Sequence, residues 1–510
     1  MNIADHAASR PDAVALLGPG DDRVTYGELH DRAMRVAGLL HEAGLRRGDA
    51  VALMLPNRRE FLEVTWGCQL SGLYYTPVNT HLTFDEVSYI VEDCQARALF
   101  IDESMGELAT ALRNHDSNVE VWVVVGAQWE DWQSYDSALT AVTEQAEVSD
   151  GCEMLYSSGT TGRPKGIRRP LPTENGSWAQ GVLEQAVTHL YKATADSVYL
   201  SPAPLYHAAG VNYTMAIHRV GAATVIVPKF DAEDTLRLIE QHRVTHAQFV
   251  PTMFVRMLKL PKEVRESYDV SSLRWVVHAA APCPVEVKQA MFDWLGPIIY
   301  EYYGGTEGFA GATIGPEEWL AHPGSVGRPL TTVHVMGEDG EELPVGEAGE
   351  LFFEGGPDFE YWRDPEKTKS LSNSHGWRSL GDMGYVDEEG YVYLTDRATF
   401  MIVSGGVNIY PQETENVLIM HPKVADAAVF GVPNEEFGEA VKAVVQPLDG
   451  IEPTAELATE LTDYCKANLA AYKCPRSIDF DPELPRDPNG KLYKRRIRDR
   501  YWEGRTSRIL

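Results

Sequence analysis

Positive charge is what this sequence has least of. Its 510 residues carry 45 Lys and Arg against 75 Asp and Glu, a formal net charge of -30. That balance argues against non-specific binding to nucleic acid or to an anionic membrane, and for high solubility. Cysteines are few: Cys68, Cys94, Cys152, Cys283, Cys465 and Cys474 are scattered, with no C-x-x-C pair. Neither a thiolate metal site nor a disulfide framework is expected, and a reducing cytoplasm is the natural compartment. No uncharged apolar run reaches the roughly 18 residues that a membrane span needs. The opening stretch "MNIADHAASRPDAVALLG" carries acids and a histidine early and has no apolar core, so it does not read as a secretory signal. Tandem repeats and low-complexity linkers are missing too.

What is present is an ordinary globular composition, with 44% hydrophobic and 24% charged residues. The length suggests roughly two to four domains with sizeable cores. In "TYGELHDRAMRVAGLLHEAG" the apolar residues Leu29, Met34, Val36, Leu39 and Leu40 fall on an approximate helical face. Thr25 is its candidate cap and Gly44 its candidate stop. "DAVALMLPN" reads as a buried strand ended by Pro56-Asn57, and a second helical stretch covers 60–73. Helix and strand in alternation predict an α/β layered domain with a mostly parallel sheet. Further on, five apolar runs end in unusual loops: "SVYLSPAPLYHAAG", "ATVIVPKFD", "HAQFVPTM", "LRWVVHAAAP" and "IIYEYYGGTEG". Ligands gather at the carboxyl ends of strands in such sheets, so these five loops are candidates for one site.

The texture changes near Arg397 to Phe400. "PQETENVLIM" predicts a helix, with Pro411 in its first turn and Glu413 and Glu415 complementing its positive end. "VADAAVFGVPNEEFGEAVKAVVQPL" reads as two strands about a Pro-Asn turn. A helix from about 453 to 469 and a basic tail follow. These elements predict a small α+β domain of about 110 residues.

Four segments offer chemistry. "YSSGTTGRPKG", 156–166, supplies hydroxyls, backbone N–H groups and Lys165, which suit an oligophosphate. It departs from G-x-x-x-x-G-K-[ST], because Gly162 and Lys165 are not adjacent, and a solvated turn between strands is the alternative. "YYGGTEG" puts Thr306 beside Glu307, a hydroxyl and a carboxylate of the kind that hold Mg²⁺; a solvent-facing Glu is the alternative. Asp382, between glycines in "GDMGY", could accept both ribose hydroxyls. Lys491 in "PRDPNGKLYK" reads by itself as a surface charge.

In this order, "YSSGTTGRPKG", "YYGGTEG", "GDMGY…DR", "GGVNIYP" and "PRDPNGK" resemble the adenylate-forming superfamily of acyl-CoA synthetases, luciferases and peptide-synthetase adenylation domains. The resemblance covers essentially the whole chain. It implies a large α/β N-terminal domain of layered sheets and helices, 1–398, and a small α+β C-terminal domain, 399–510, that rotates between two half-reactions. It implies ATP and Mg²⁺ as cofactors and coenzyme A as acceptor. The partners are a small-molecule carboxylic acid and these nucleotides; no nucleic acid is expected, and a homodimer is compatible with it.

Residue by residue, the resemblance assigns Ser157, Ser158, Gly159, Thr160, Thr161, Gly162 and Lys165 to the pyrophosphate loop. Thr306 matches the α-phosphate ligand and Glu307 the Mg²⁺ carboxylate, with Thr161 as a second metal contact. Asp382 matches the ribose ligand, beside Arg397. Ala280, Ala281 and Pro282 match one adenine face, and Glu301, Tyr302 and Tyr303 the other. Lys491 matches the lysine that bridges the acyl carboxylate and the α-phosphate. Ser404, Gly405 and Gly406 match a pantetheine tunnel. Lys229 matches a coenzyme A contact, and Lys473 a weaker candidate for its phosphates. His207 matches the gate between the ATP and acyl sites, with a structural histidine as the other reading. The tail residues Lys494, Arg495, Arg496 and Arg498 read as a solvated face; the resemblance adds steering of anionic nucleotides. One departure is the hinge, where Thr399 stands in place of the usual Lys or Asp.

The acyl pocket should be roomy and apolar, since Ala208, Ala209, Gly210, Ala279 and Ala280 are small. No Arg or Lys is evident to pair with a second carboxylate. The implied activity is an ATP-dependent carboxylic acid–CoA ligase for a fatty, aromatic or other bulky apolar monoacid, working through an acyl-adenylate. An enzyme loading acyl or aminoacyl groups onto a carrier protein is the alternative, although "YHAAGVNYT" lacks the Asp that would hold a substrate ammonium. Luciferase-like oxidation is further off. A non-catalytic scaffold is disfavoured, because Lys165, Glu307, Asp382, Arg397 and Lys491 are all retained.

Overall fold

The computed structural model describes the chain except residues 21, 116, 158–163, 174–180, 358, 398–399, 405–406, 435–436, 487–491 and 503–510. The side chains of Val182, Asp396, Arg397 and Asn408 are also outside the description.

Helix Tyr26–Glu42 begins where the sequence places it. The Thr25 hydroxyl accepts from the Glu28 N–H, and the Glu28 carboxylate accepts from the Thr25 N–H at 2.8 Å. This reciprocal cap satisfies two N–H groups that the helix leaves unpaired. The helix packs its face of Leu29, Val36 and Leu40 against helix Arg59–Leu70, and both lie between two sheets. Leu16 and Ile226 close this core from one sheet, and Val51, Phe100 and Val123 from the other. Trp66 and Phe61 are fully buried in it; each large apolar side chain so buried is worth about 1.5–3 kcal/mol.

Among the described residues the first sheet has nine strands. Its centre is parallel, in the spatial order Ile299–Gly304, Trp275–His278, His246–Phe249, Val198–Ser201, Ala223–Ile226 and Val14–Leu17. The second sheet has eight strands, with Cys152–Ser157, Tyr74–Pro77, Ala50–Met54, Ala96–Asp102 and Val121–Val125 parallel. Cys152–Ser157 then turns back antiparallel into Lys165–Arg168. A four-stranded antiparallel sheet ends with Arg378–Val386 and Val392–Arg397. The alternating reading of the N-terminal part thus corresponds to sheets buried on both faces by helices.

The C-terminal part forms its own sheet and core. Strands Val424–Asn434 and Gly438–Pro447 form a long hairpin, which packs against helices Pro411–Ile419 and Ala455–Asn468 through Leu418, Val429, Leu461 and Cys465. Pro433 and Asn434 belong to the strand, paired with Glu439 and Gly438, so the turn falls after them rather than on them. Pro fits there because it is near a strand end, where a missing N–H costs little. All six cysteines are free thiols. Among the described residues no helix is long and apolar enough to cross a membrane.

Candidate active site

A cavity of about 2010 Å³ opens at the carboxyl ends of the parallel strands, and residues of both domains line it. Four of the five loops singled out in the sequence meet there. Tyr206 and His207 follow Val198–Ser201, Pro251 and Thr252 follow His246–Phe249, Ala280 to Pro282 follow Trp275–His278, and Tyr302 to Gly305 end the fourth strand. The fifth loop carries Lys229, which is exposed and outside this lining. Its strand lies two places from His246–Phe249, toward the far edge of the sheet.

The nucleotide end is built from three loops. Asp382 is 6% exposed, and its Oδ2 accepts a 2.6 Å hydrogen bond from the Tyr303 hydroxyl. Gly381 takes a φ of +78°, a left-handed turn that glycine adopts without strain, and this aims the next residue inward. The strand register sets Arg397 directly opposite Asp382. Glu307 is 8% exposed, and its Oε1 accepts from the Tyr361 hydroxyl at 2.7 Å. The Lys165 ammonium lies 5.2 Å from the centre of the Tyr361 ring. Burial and the neighbouring Lys367 charge push the Lys165 amine below its ordinary value. Arg169 donates to the Thr306 carbonyl at 3.1 Å and pairs with Glu153 at 3.1 Å. Ala280, in the adenine strip, takes a φ of +75° although it bears a Cβ; such strain costs on the order of 1 kcal/mol and gathers at functional sites.

Strand alternation separates the three residues Glu301, Tyr302 and Tyr303. Tyr303 reaches Asp382, as above. Tyr302 faces the other way and stacks on Tyr213 with ring centres 5.5 Å apart. Glu301 is tied into the core: Lys288 Nζ donates to its Oε2 at 2.6 Å, and His278 Nε2 is 3.3 Å from the same oxygen. Burial alone would raise the Glu301 carboxyl. His278 and the Lys288 ammonium outweigh it and hold the carboxyl at about 2. Beneath the adenine strip the carboxylate is therefore a buried charge fully engaged within the protein.

His207 caps helix Ala208–Val220 from an extended backbone, with its ring 4.7 Å from Tyr206, and lines the cavity. Gly210 lets this helix approach its own entry loop: a Cβ there would meet the Pro204 carbonyl oxygen at 2.3 Å. The pocket is less purely apolar than expected. Arg169 and Arg219 both line it, each paired with a glutamate, Glu153 and Glu184. Neither arginine stands in a motif, so no local pattern marks them. Arg169 only trails the glycine-rich loop, and Arg219 lies eleven residues beyond the start of the helix after His207.

Ser158, Gly159, Thr160, Thr161, Gly162, Lys491, Thr399, Gly405 and Gly406 are outside the described residues. Their neighbours are described. Ser157 pairs with Lys165 across the strand turn. Arg486 and Leu492, which bracket the Lys491 segment, bridge each other and both line the cavity. Arg486 forms a two-pronged pair with Asp426, at 2.7 Å for Nη2 to Oδ1, and this anchors the segment to the long hairpin. Ser404 pairs with Val407 and Gly438 and is not in the cavity lining.

The basic tail is only partly solvated. Lys494 is 7% exposed and pairs with Glu415 at 2.8 Å, and both line the cavity, so it is a buried, paired cation. Glu415 also accepts from the Val429 N–H at 2.6 Å, so it clamps a strand; of the two glutamates only Glu413 sits in the first helical turn. Arg496 is exposed and reaches Glu86 of the N-terminal domain at 3.4 Å. Lys473 pairs with Glu413.

Comparison with known proteins identifies the family. The family profile described as AMP-binding enzyme matches residues 3–357, and the AMP-binding enzyme C-terminal domain matches 413–491. The chain belongs to this adenylate-forming family, in its acid–CoA ligase branch. It is 34% identical to a feruloyl-CoA synthase from an Amycolatopsis species over 489 residues, 94% of this chain and 95% of the other. It is 32% identical to the fatty acid–[acyl-carrier-protein] ligase ScoC of Streptomyces coeruleorubidus over 514 residues, 98% of this chain and 95% of the other. Among solved structures, the anthranilate CoA ligase AuaEII in complex with anthranoyl-AMP superposes with a TM-score of 0.84 at 27% identity, covering 98% of this chain and 96% of that one.

Proposed function

We propose that the protein is an ATP-dependent carboxylic acid–CoA ligase that forms acyl-CoA, AMP and pyrophosphate through an acyl-adenylate, in the cytoplasm. The observation that carries this reading is the cavity in which Lys165, Thr306, Glu307 and Asp382 converge with Leu492 and Arg486 of the C-terminal domain. A carboxylate is a poor electrophile. Attack of its oxygen on the α-phosphorus expels pyrophosphate and leaves an acyl–phosphate anhydride, whose AMP is a good leaving group. A thiol then takes the acyl carbon, and AMP departs with the bonding pair. Such transfers depend on positioning and charge neutralisation.

In this reading Lys165 and the preceding loop hold the departing pyrophosphate. Asp382 orients the ribose, held in place by Tyr303. Lys491 bridges the acyl carboxylate and the α-phosphate. A bound Mg²⁺ would neutralise charge on the phosphate oxygens. Glu307 fits as its protein ligand: its carboxylate lines the cavity beside Thr306, and Mg²⁺ typically takes one or two carboxylates plus phosphates and water. The cavity lining by Arg486 and Leu492, with Ser404 outside it, favours an arrangement poised for adenylation. Rotation about the segment near Thr399 would then bring the Ser404 loop to the cavity for the thiol step.

The substrate is a bulky, mainly apolar monoacid, fatty, aromatic or other. Loading of a carrier protein is the second reading, favoured by the match to ScoC. The test incubates purified protein with ATP, Mg²⁺ and a panel of acids, with and without coenzyme A, and reads adenylate and thioester by mass spectrometry. Thioester dependent on coenzyme A is expected. Adenylate without thioester for every acid would favour carrier loading.

A further inference from the structure

The acyl part of the cavity follows one face of helix Ala208–Val220. Ala208, Asn212, Met215 and Arg219 line it, four, three and four residues apart, which is a single helical stripe. Eleven residues of helix extend about 16 Å, far more than a carboxyl group requires. The near end is His207, beside the nucleotide loops. At the other end of the stripe stands an ion pair, with Arg219 Nη1 2.9 Å from Glu184 Oε1 and the two side chains 11% and 13% exposed. Glu184 stands just before a π-helical turn, Ala186–Leu190, a rare irregularity that concentrates at functional sites.

Ion pairs withdrawn from water are costly, and apolar residues of similar volume would stabilise the fold as well or better. A pocket meant only for a hydrocarbon tail has no use for one. A methyl terminus pressed on Arg219 and Glu184 would desolvate both without replacing their hydrogen bonds to water. A second carboxylate fares no better, because Glu184 already balances Arg219 and would repel it. A neutral group that both donates and accepts satisfies both partners at once.

We propose that the enzyme selects elongated monoacids whose far end carries a neutral hydrogen-bonding group, a hydroxyl or an amide, read by the Arg219–Glu184 pair. This rests on the ligase reading above. A site built to hydrogen-bond a substrate hydroxyl discriminates strongly against the analogue that lacks it.

The experiment compares acids matched in length, by pyrophosphate release at limiting acid. Para-hydroxyl is set against para-methyl and para-carboxyl arylpropenoic acids, and terminal hydroxyl against terminal methyl straight-chain acids. In the wild-type enzyme the hydroxyl acid is expected to exceed its methyl and carboxyl counterparts at least tenfold in kcat/KM. In the double variant Arg219→Met, Glu184→Met the preference over methyl should fall to within about twofold. Equal or better use of methyl acids by the wild-type enzyme overturns the proposal, as does a preference that survives the double substitution. The wild-type comparison decides even if the variant does not fold. Pyrophosphate release with none of the acids would instead remove the ligase reading on which the proposal stands.

Discussion

The Tyr361 hydroxyl donates a 2.7 Å hydrogen bond to the Glu307 carboxylate, and the same ring lies under the Lys165 ammonium. One tyrosine, on the two-residue strand Glu360–Tyr361, therefore positions two groups proposed to handle the phosphates. Hydrogen bonds to charged groups contribute about 1.5–3 kcal/mol, and tenfold in rate is about 1.4 kcal/mol. Tyr361→Phe keeps the ring and loses the hydroxyl. It should lower kcat/KM for MgATP about ten- to a hundredfold, while thioester formation from a supplied acyl-adenylate changes little. Initial rates of both half-reactions check this.

Lys491→Ala should slow adenylation by at least about 10²-fold, since a charge pair at about 4 Å and a dielectric near 20 is worth roughly 4 kcal/mol. Thioester formation from synthetic acyl-adenylate should suffer far less. Asp426→Ala removes the anchor of Arg486 and should reproduce the same imbalance more weakly. Equal loss in both half-reactions would contradict the assignment of Lys491.

Lys259 of the N-terminal domain donates from its ammonium to the Val424 carbonyl of the C-terminal domain. Burial pushes its amine down, and only Asp426 opposes this. The bond ties the two domains in the arrangement in which Leu492 lines the cavity. Lys259→Met should therefore slow adenylation about three- to tenfold and leave the thiol step unchanged or faster. Single-turnover kinetics of each step separate this from a general loss of fold.

The Lys288–Glu301 pair is predicted to matter for stability before catalysis. Removing one partner of a buried ion pair costs about 3–5 kcal/mol, because the other charge is left uncompensated. Lys288→Met should lower the melting temperature clearly, and adding Glu301→Gln should restore much of it. The Glu301 carboxyl is held at about 2, below its ordinary value of 4.5. The unfolded chain therefore takes up this proton first as pH falls. The stabilisation is complete above about pH 4.5 and is lost progressively toward pH 2. Acid unfolding of the wild type and of Glu301→Gln should converge across that window.

Much of the local structure was legible. Thr25 and Glu28 spell a helix start that needs nothing beyond four residues of chain, and Gly44 takes the positive φ of a helix stop, +85°. The strand-ending loops were legible because apolar runs broken by Gly and Pro announce where a buried strand stops. The Pro-Asn turn expected in the C-terminal hairpin is not at those residues. Pro433-Asn434 reads as a turn in isolation, but pairing with Gly438 and Glu439 holds both in the strand.

The charges were where reading by sequence failed. Lys494 stands in a run of basic residues that looks solvated, yet a glutamate 79 positions earlier buries it. Glu301 does line the cavity, yet Lys288, which stands in no motif, holds its carboxylate. Arg219 and Glu184 carry no motif at all. By itself, then, the sequence determined the elements, the loops that bear the nucleotide chemistry and the family to which they belong. These follow from short-range patterns, in which spacing and backbone freedom settle the outcome. Only the tertiary structure decided which charges reach the cavity and which of them neutralise one another there. An ion's fate depends on burial and on partners far along the chain, and no local pattern encodes either.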